Sequence, residues 1–423
     1  MKTKIPVYYQ ENIIPELVAY CENNHLRAFC LVADQNTYLA LGKAVEEALV
    51  ARGLDVKTIL LEGKEVVNDE YYLVQVLIQV SPDDKVFLSV GSGTITDIVR
   101  LISHRIGASF IALPTAPSVD GYSSGGAPTV IGGVKQTIYA QPPRAIFADL
   151  NTLCAAPRPM IAAGFGDMLG KYTSLADWEL GHLVWDEPYS PEIAQRVRDA
   201  LGDCVAHVGE IASGSAGGIR SLMDALTESG LCMLEFGASP PASGSEHYLS
   251  HFLELKLLRE NRPAILHGAK VGAACILVAA YYQQLGDLTR KQAEERLERT
   301  PMPDRESEIQ RIRAAYPAIA GQIIAEQTPF LDMSPQAYSQ LKYRIIEHWD
   351  QIRAIAATVP PPQDLAALLR QLDGPTDMRA LGLGDEEVAQ ALEYAHYYRN
   401  RFTAIKLSRM LGIQPFASQS PTS

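Results

Sequence analysis

The stretch Gly91-Ser92-Gly93-Thr94-Ile95-Thr96-Asp97 decides how the first third of the chain folds. It follows Lys85-Val86-Phe87-Leu88-Ser89-Val90, a short apolar run of the kind a buried strand requires. It leads into Ile98-Val99-Arg100-Leu101-Ile102, which reads as a helix. A strand ends, glycines turn the chain tightly, and a helix begins. At such a junction free backbone N–H groups and the positive end of the helix dipole point outward together. That arrangement suits a pyrophosphate. Gly91 and Gly93 let a ligand approach the backbone where a Cβ would block it. A plain strand-to-helix turn uses the same residues, so this stretch alone leaves both readings open.

Working outward, residues up to about 155 alternate strand-like and helix-like segments. Ala28–Ala33 reads as a strand, Leu39–Arg52 as a helix stopped by Gly53, and Val56–Leu61 as the next strand ending at Glu62. A helical stretch Tyr71–Val80 precedes the glycine turn, and the strand Ala108–Leu113 follows its helix. Repeated β-α-β units imply a parallel sheet with helices on both faces. Ligands in such sheets bind at the carboxyl ends of strands, where Asp34, the Gly91 turn and Pro114-Thr115 all fall. Glu62 is placed to meet ribose hydroxyls, while Lys64 nearby would tolerate a 2′-phosphate. The run from Pro114 to Gly126 is too rich in Gly, Pro and Ser for regular structure and too long for a turn; Asp120 is its only charge. A strand pair around Val130-Ile131 and Ala145–Ala148 is expected to complete this domain.

From about Pro157 helical periodicity takes over, through Ile193–Val205, Ile219–Ala225, Leu249–Arg259, Lys270–Tyr281, Ile309–Ala315, Ala337–Ile355, Asp364–Leu372 and Asp385–Met410. The expected architecture is an α/β Rossmann-like parallel-sheet domain over 1–156 and an all-α domain over 157–423. The tail after Gly412 is rich in Ser, Pro and Gln and is expected to fray.

The chain has 423 residues and a net charge of −12, which argues against an extended nucleic-acid surface. Its six cysteines are scattered without C-x-x-C spacing and read as reduced, buried small hydrophobes. The start of the chain lacks the apolar core of a signal peptide. The apolar run Val271–Tyr281 is too short to span a bilayer. A cytoplasmic protein without membrane insertion is expected.

Three places in the helical region carry suspicious residues. Asp167 is the one carboxylate in the small, apolar stretch Ala163–Leu169. His247 and His251 are four apart and share a helix face. His267 opens another apolar helix. One carboxylate plus two imidazoles is a usual catalytic set for a divalent metal with open positions. Each residue alone has an ordinary structural explanation; it is their coincidence with a glycine-rich phosphate turn that favours a site.

Taken in order, these motifs resemble the dehydroquinate synthase-like superfamily, which includes the iron-containing alcohol dehydrogenases and glycerol dehydrogenases. The motifs are Gly91-Ser92-Gly93 with Asp97, Pro114–Ser118 with Asp120-Gly121, Gly166-Asp167, Ser245-Glu246-His247 with His251, and His267-Gly268; Arg399-Asn400-Arg401-Phe402-Thr403 follows near the end. Within the superfamily they are most similar to the sn-glycerol-1-phosphate dehydrogenases. The resemblance implies that Gly91, Gly93, Thr94, Ile95, Thr96 and Asp97 hold the pyrophosphate of NAD(H) or NADP(H). Thr115, Ala116, Pro117, Ser118 and Ser124 would line the nicotinamide and its ribose. Asp167, His247 and His267 would bind one divalent ion, zinc or nickel, giving Asp167 a catalytic part. Asp120 and His251 would contact substrate and help deliver a proton. The implied reaction is reversible reduction of dihydroxyacetone phosphate to sn-glycerol 1-phosphate, and the implied assembly is a homodimer or higher homo-oligomer.

The sequence departs from the superfamily in places. Many relatives carry an acidic residue two after the last metal histidine, where this chain has Ala269. Ser92 replaces the middle glycine of the usual triplet. The segment Ser243–Glu246 lacks the lead of dehydroquinate synthases, which argues against a cyclase. The alternatives are a dehydrogenase of an unphosphorylated polyol such as glycerol, a cyclase, and a non-catalytic regulator. For the substrate phosphate the sequence offers Lys135, Lys171 and Arg262, each equally readable as a surface cation.

Overall fold

The computed structural model describes residues 5–63, 65–81, 83 and 86–414. Lys64, Lys85 and the tail from 415 lie outside the described residues. The chain packs as two compact units. The first comprises Met1–Met168, Gly202–Ala238 and Gln371–Asp373; the second comprises Leu169–Leu201, Ser239–Arg370 and Gly374–Ser423.

The first unit is built on six parallel strands: β1 (Val7–Gln10), β2 (Ala28–Asp34), β3 (Asp55–Leu61), β4 (Val86–Val90), β5 (Ser109–Leu113) and β8 (Ala145–Asp149). Their order across the sheet is β1-β8-β5-β4-β2-β3. β4 and β8 are buried at every position, as expected where helices cover both faces of a parallel sheet. From β2 the chain moves outward to β3, then returns to place β4 on the other side of β2. The order therefore reverses between β2 and β4, which puts the Gly91 turn at the switch point where such sheets open a crevice.

The expected strand pair is corrected. β6 (Gly126–Ile131) pairs antiparallel with β7 (Val134–Tyr139), while Ala145–Asp149 joins the main sheet between β5 and β1. The reason is the two-residue turn Gly132-Gly133, with φ of 61° and 76°, which closes a hairpin directly after Ile131. β1 escapes a hydrophobic-pattern reading because it is four residues long and ends in the polar Gln10, but Tyr8 stacks on Phe147 with ring centroids 4.7 Å apart.

The division of the chain also departs from the expected boundary at 156/157. The helix Arg158–Leu169 lies almost wholly in the first unit, and so does the helix Ala216–Phe236. The latter is held by the Pro114–Gly126 loop: Ser123 Oγ donates to the Thr227 carbonyl at 2.7 Å and Ser229 Oγ to the Asp120 carboxylate at 2.8 Å. Gly230 permits this approach, since a Cβ there would lie 2.4 Å from the Asp120 carbonyl oxygen.

The second unit is helical. Among the described residues no strand follows Asp149. Two expected continuous helices are broken. Ala337–Ile355 divides into Pro335–Glu347 and Trp349–Ala356 around His348. Asp385–Met410 divides into Asp385–Tyr394, a 3₁₀ turn Ala395–Tyr397 and Ala404–Met410, with non-helical chain over 398–403. The second break has a clear cause. Buried carboxylates of Glu187 and Asp177 capture the N–H groups of Phe402 and Ala404, both at 2.7 Å, so these donors do not enter a helix. Among the described residues no helix is long and apolar enough to cross a membrane.

The Pro114–Gly126 loop meets the 158–169 helix at Gly164, where an added Cβ would sit 1.8 Å from the Pro117 carbonyl oxygen. Two backbones in contact have no flexible side chain to move aside. Gly164→Ala is therefore expected to cost about 2–3 kcal/mol and to lower the melting temperature, measured by calorimetry. An unchanged melting temperature would contradict this packing.

Candidate functional site

In the first unit the glycine turn adopts the expected form for a reason the sequence does not display. The helix Gly93–Arg105 begins at Ser92, which is extended and makes no side-chain capping bond. Gly91 is demanded by packing within the turn: a Cβ there would lie 2.5 Å from Ile95 Cγ1. At Gly93 it would lie 2.8 Å from Val119 Cγ2. The residues assigned to the cofactor divide by exposure. Gly93, Thr94 and Asp97 are half-buried at the surface of the turn, whereas Gly91, Ile95 and Thr96 are buried. Thr96 Oγ1 donates to the Ser92 carbonyl at 3.1 Å. The Asp97 carboxylate is bound by the guanidinium of Arg100, and its carboxyl is pushed up to about 7 by burial, against the pull of Arg100 and Lys135.

Thr115, Ala116, Pro117, Ser118 and Ser124 are all buried, and the loop that carries them supports itself. Tyr122 Oη donates to the Ala116 carbonyl and lies 3.4 Å from Ser118 Oγ; Ser124 Oγ donates to the Gly121 carbonyl at 3.0 Å. Asp120 is 8% exposed. Its backbone N–H donates to Asp167 Oδ2 at 3.0 Å. Asp167, in the 158–169 helix, is fully buried. Asp34 and Glu62 do lie at strand ends, but Asp34 caps the short helix that follows it, accepting the Thr37 N–H at 2.8 Å, and Glu62 is exposed at the edge of the sheet.

In the second unit the three histidines converge. His247 and His251 lie on the helix Ser245–Arg259, and His267 is the first residue of the helix His267–Asp287. The rings of His247 and His267 have centroids 5.2 Å apart, those of His251 and His267 5.8 Å, and those of His247 and His251 6.2 Å. His247 Nδ1 is 2.7 Å from Glu246 Oε1. A carboxylate only accepts, so Nδ1 carries the hydrogen and Nε2 presents the lone pair. Glu246 is fully buried and also accepts from Gly244 N–H at 2.7 Å and Thr173 Oγ1 at 2.6 Å. Burial works to raise its carboxyl, but His247 and these donors hold it below the usual range. His251 stacks on Tyr398, centroids 4.9 Å apart.

Lys270 and Asp177 carry no signal in the sequence. Lys270, one turn after His267, is 1% exposed and lies 3.7 Å from Glu254, which is 3.6 Å from His251 Nδ1. Asp177 is fully buried and accepts from Ser245 N–H, Ala404 N–H and Tyr282 Oη, each at 2.7 Å. Burial first and the Glu246 charge second push its carboxyl up to about 6. Arg401 pairs with Glu187 at 2.7 Å and donates to the Ser243 carbonyl at 2.6 Å, which ties the Arg399–Thr403 segment to the start of the histidine helix. Of the phosphate candidates, Lys171 is no surface cation: it is fully buried and donates to the Ala242 carbonyl at 3.1 Å. Arg262 is occupied by Glu260, Glu387 and the Gly382 carbonyl. Lys135 lies half-buried on β7.

Residues 8–157 match the family model described as iron-containing alcohol dehydrogenase. The chain is 39% identical over 397 residues to a glycerol-1-phosphate dehydrogenase [NAD(P)+] of Halalkalibacterium halodurans, covering 93% of this chain and 89% of that protein. It is 37% identical over 411 residues to the Bacillus subtilis protein of the same name, covering 95% and 92%. Among solved structures it is similar to a probable glycerol dehydrogenase from Sinorhizobium meliloti, with a TM-score of 0.62 at 15% identity over 96% of this chain and 95% of that one; this likeness speaks for the fold. Identity at that level along nearly the whole length of the relatives, with the glycine turn and the histidine helices in place, means that the chain belongs to the glycerol-1-phosphate dehydrogenase family.

Proposed function

We propose that this chain is an NAD(P)-linked, metal-dependent oxidoreductase that reduces dihydroxyacetone phosphate to sn-glycerol 1-phosphate and runs the reverse reaction. The observation that carries the reading is the 37–39% identity to enzymes named for glycerol 1-phosphate over more than nine-tenths of the chain. In the proposal Asp167, His247 and His267 hold one divalent ion, zinc or nickel. One carboxylate and two imidazoles are a donor set that can hold such an ion. Two details support it. Glu246 fixes the tautomer of His247, the usual carboxylate support behind a metal-bound imidazole. The Asp120 N–H fixes one oxygen of Asp167. With Ala269 in place of an acidic residue, the set brings a single negative charge.

Bound, the metal supplies Lewis-acid stabilisation of charge on the substrate oxygen, and the nicotinamide supplies or accepts the hydride. The chain's own residues do the rest. Gly93 and Thr94 offer backbone N–H groups at an uncapped helix start to the pyrophosphate. The buried loop 115–124 excludes water around the nicotinamide. His251, held flat against Tyr398, gives a proton to the substrate oxygen during reduction and takes it back during oxidation. Asp120 orients the substrate hydroxyl, its own carboxylate steadied by Ser229. Lys135 remains a candidate for the substrate phosphate. A cytoplasmic homo-oligomer is part of the same proposal.

NADH oxidation with dihydroxyacetone phosphate, on metal-stripped protein refilled with zinc or nickel, tests the reading. Activity is expected to vanish on stripping, to return with metal, and to be lost again in His247→Ala. Faster turnover of dihydroxyacetone or glycerol than of their phosphates would overturn the substrate assignment. Glu246→Gln is expected to weaken metal affinity about 10- to 100-fold without removing a ligand, measured by chelator competition. Unchanged affinity would remove His247 from the metal set.

A further inference from the structure

Arg100 has no part in the chemistry above, yet among the described residues it is the most completely enclosed cation of the first unit. Its side chain is 0% exposed. Nη1 donates to the Asp97 carboxylate and to the Gly126 carbonyl at 2.7 Å; Nη2 donates to the carbonyls of Gly121 at 2.6 Å and Tyr122 at 3.0 Å. Nε is buried without a partner, and the guanidinium sits 5.7 Å from the centroid of the Phe110 ring. An apolar side chain would serve packing better, because a buried ion pair seldom repays its desolvation. What the planar fork does here is fasten two carbonyls of the 3₁₀ turn Gly121–Ser123 and that of Gly126, where the loop enters β6.

That loop connects two parts of the site. Asp97 is the fifth residue of the 93–105 helix, just beyond its first turn. Directly before Gly121 stands Asp120, whose N–H holds Asp167 Oδ2 at 3.0 Å and whose carboxylate takes the Ser229 hydroxyl. A single side chain therefore joins the turn assigned to the cofactor pyrophosphate to the loop that orients the carboxylate assigned to the metal. We propose that Arg100 is a positioning residue that couples nucleotide binding at the 93–105 helix to metal binding at Asp167, through the 120–126 loop. This rests on the reading of the site given above. A nucleotide that steadies the start of this helix steadies the adjoining Asp97 on Arg100, and with it the loop and the Asp120 N–H. By linkage, metal then tightens nucleotide by the same factor.

The test is titration of metal-stripped protein with Zn²⁺, with and without saturating NADH, in wild type, Arg100→Lys and Asp97→Asn. In wild type NADH is expected to tighten Zn²⁺ by about fivefold or more. Arg100→Lys keeps a cation but loses the fork. It is expected to leave NADH affinity within about threefold, to weaken Zn²⁺ about tenfold, and to bring the coupling factor close to 1. Asp97→Asn keeps the volume and removes the counter-ion, so the coupling is expected to fall there too, even if the lysine variant folds poorly. A merely structural Arg100 would lower the melting temperature and leave the coupling factor at its wild-type value, which would overturn the proposal. So would a wild-type coupling factor of 1. Wild-type protein that binds both ligands with unchanged coupling in the variants overturns the coupling alone; wild-type protein that binds neither overturns the reading of the site as well. Amide exchange over 121–126, without any ligand, is expected to speed up about tenfold in Arg100→Lys; unchanged exchange there also overturns the proposal.

Discussion

The backbone after β4 has almost no room, and much of the first unit follows from that. Gly91 backs onto Ile95 and Gly93 onto Val119, each closer than a Cβ would tolerate. The strand can then turn straight into the helix, with its first turn left uncapped by any side chain. Thr115 N–H reaches back to the Gly91 carbonyl, and Gly91 N–H reaches the Leu113 carbonyl, so the end of β5 and the loop beyond it are registered against the same turn. Gly164 and Gly230 repeat the principle on the other side of the loop, letting two helices approach its backbone directly. A loop whose one regular piece is the 3₁₀ turn Gly121–Ser123 is thus held among backbones rather than among flexible side chains. That is the support a site needs when sub-ångström placement matters.

The second unit uses a different device. Asp177, Glu187 and Glu246 are buried carboxylates, and each accepts a backbone N–H that a helix start or a non-helical segment would otherwise leave unpaired. Asp177 binds the starts of two helices, at Ser245 and Ala404. A buried carboxylate is costly alone, and for Asp177 these two bonds and that from the Tyr282 hydroxyl offset the cost. The arrangement fixes the helix carrying His247 and His251 from its first residue. Glu246 then acts twice: it closes its own helix start through Gly244 and sets the tautomer of His247. Orientation of the imidazole is in this way part of the capping of the helix that bears it.

What the sequence made legible was whatever depends on local pattern. The β-α-β alternation, the glycine turn at Gly91, the shared face of His247 and His251, and the helix opening at His267 all follow from spacing and residue type. The misreadings have physical causes. Val134–Tyr139 is half-exposed and polar, so no apolar run marks it as the partner of Gly126–Ile131, although Gly132-Gly133 marks the turn. The break in the C-terminal helix depends on carboxylates more than two hundred residues away in sequence, at Asp177 and Glu187. Lys171 and Arg262 look alike as lone cations, but one is buried beneath Ala242 and the other is strapped to two glutamates at the surface. Arg100 sits in an apolar helical pattern, where only the fold reveals what it reaches.

Arg100 also shows why a buried charge can persist where stability alone would disfavour it. Its only anionic partner among the described residues, Asp97, has a carboxyl that burial pushes toward neutrality, so the pair is not a strong stabilising feature. Truncating it would remove a donor from the Gly121, Tyr122 and Gly126 carbonyls, of which Gly121 keeps the Ser124 hydroxyl, at roughly 1–3 kcal/mol for a buried group left unpaired. An apolar replacement would fill the space, but nothing apolar can choose among loop conformations that differ only in where those carbonyls point. The bonds that Ser118, Tyr122 and Ser124 make within the loop fix its local turns. They do not fix the loop against the helix beside it. That constraint comes from Arg100, and it reaches Asp120 because Asp120 and Gly121 share a peptide bond.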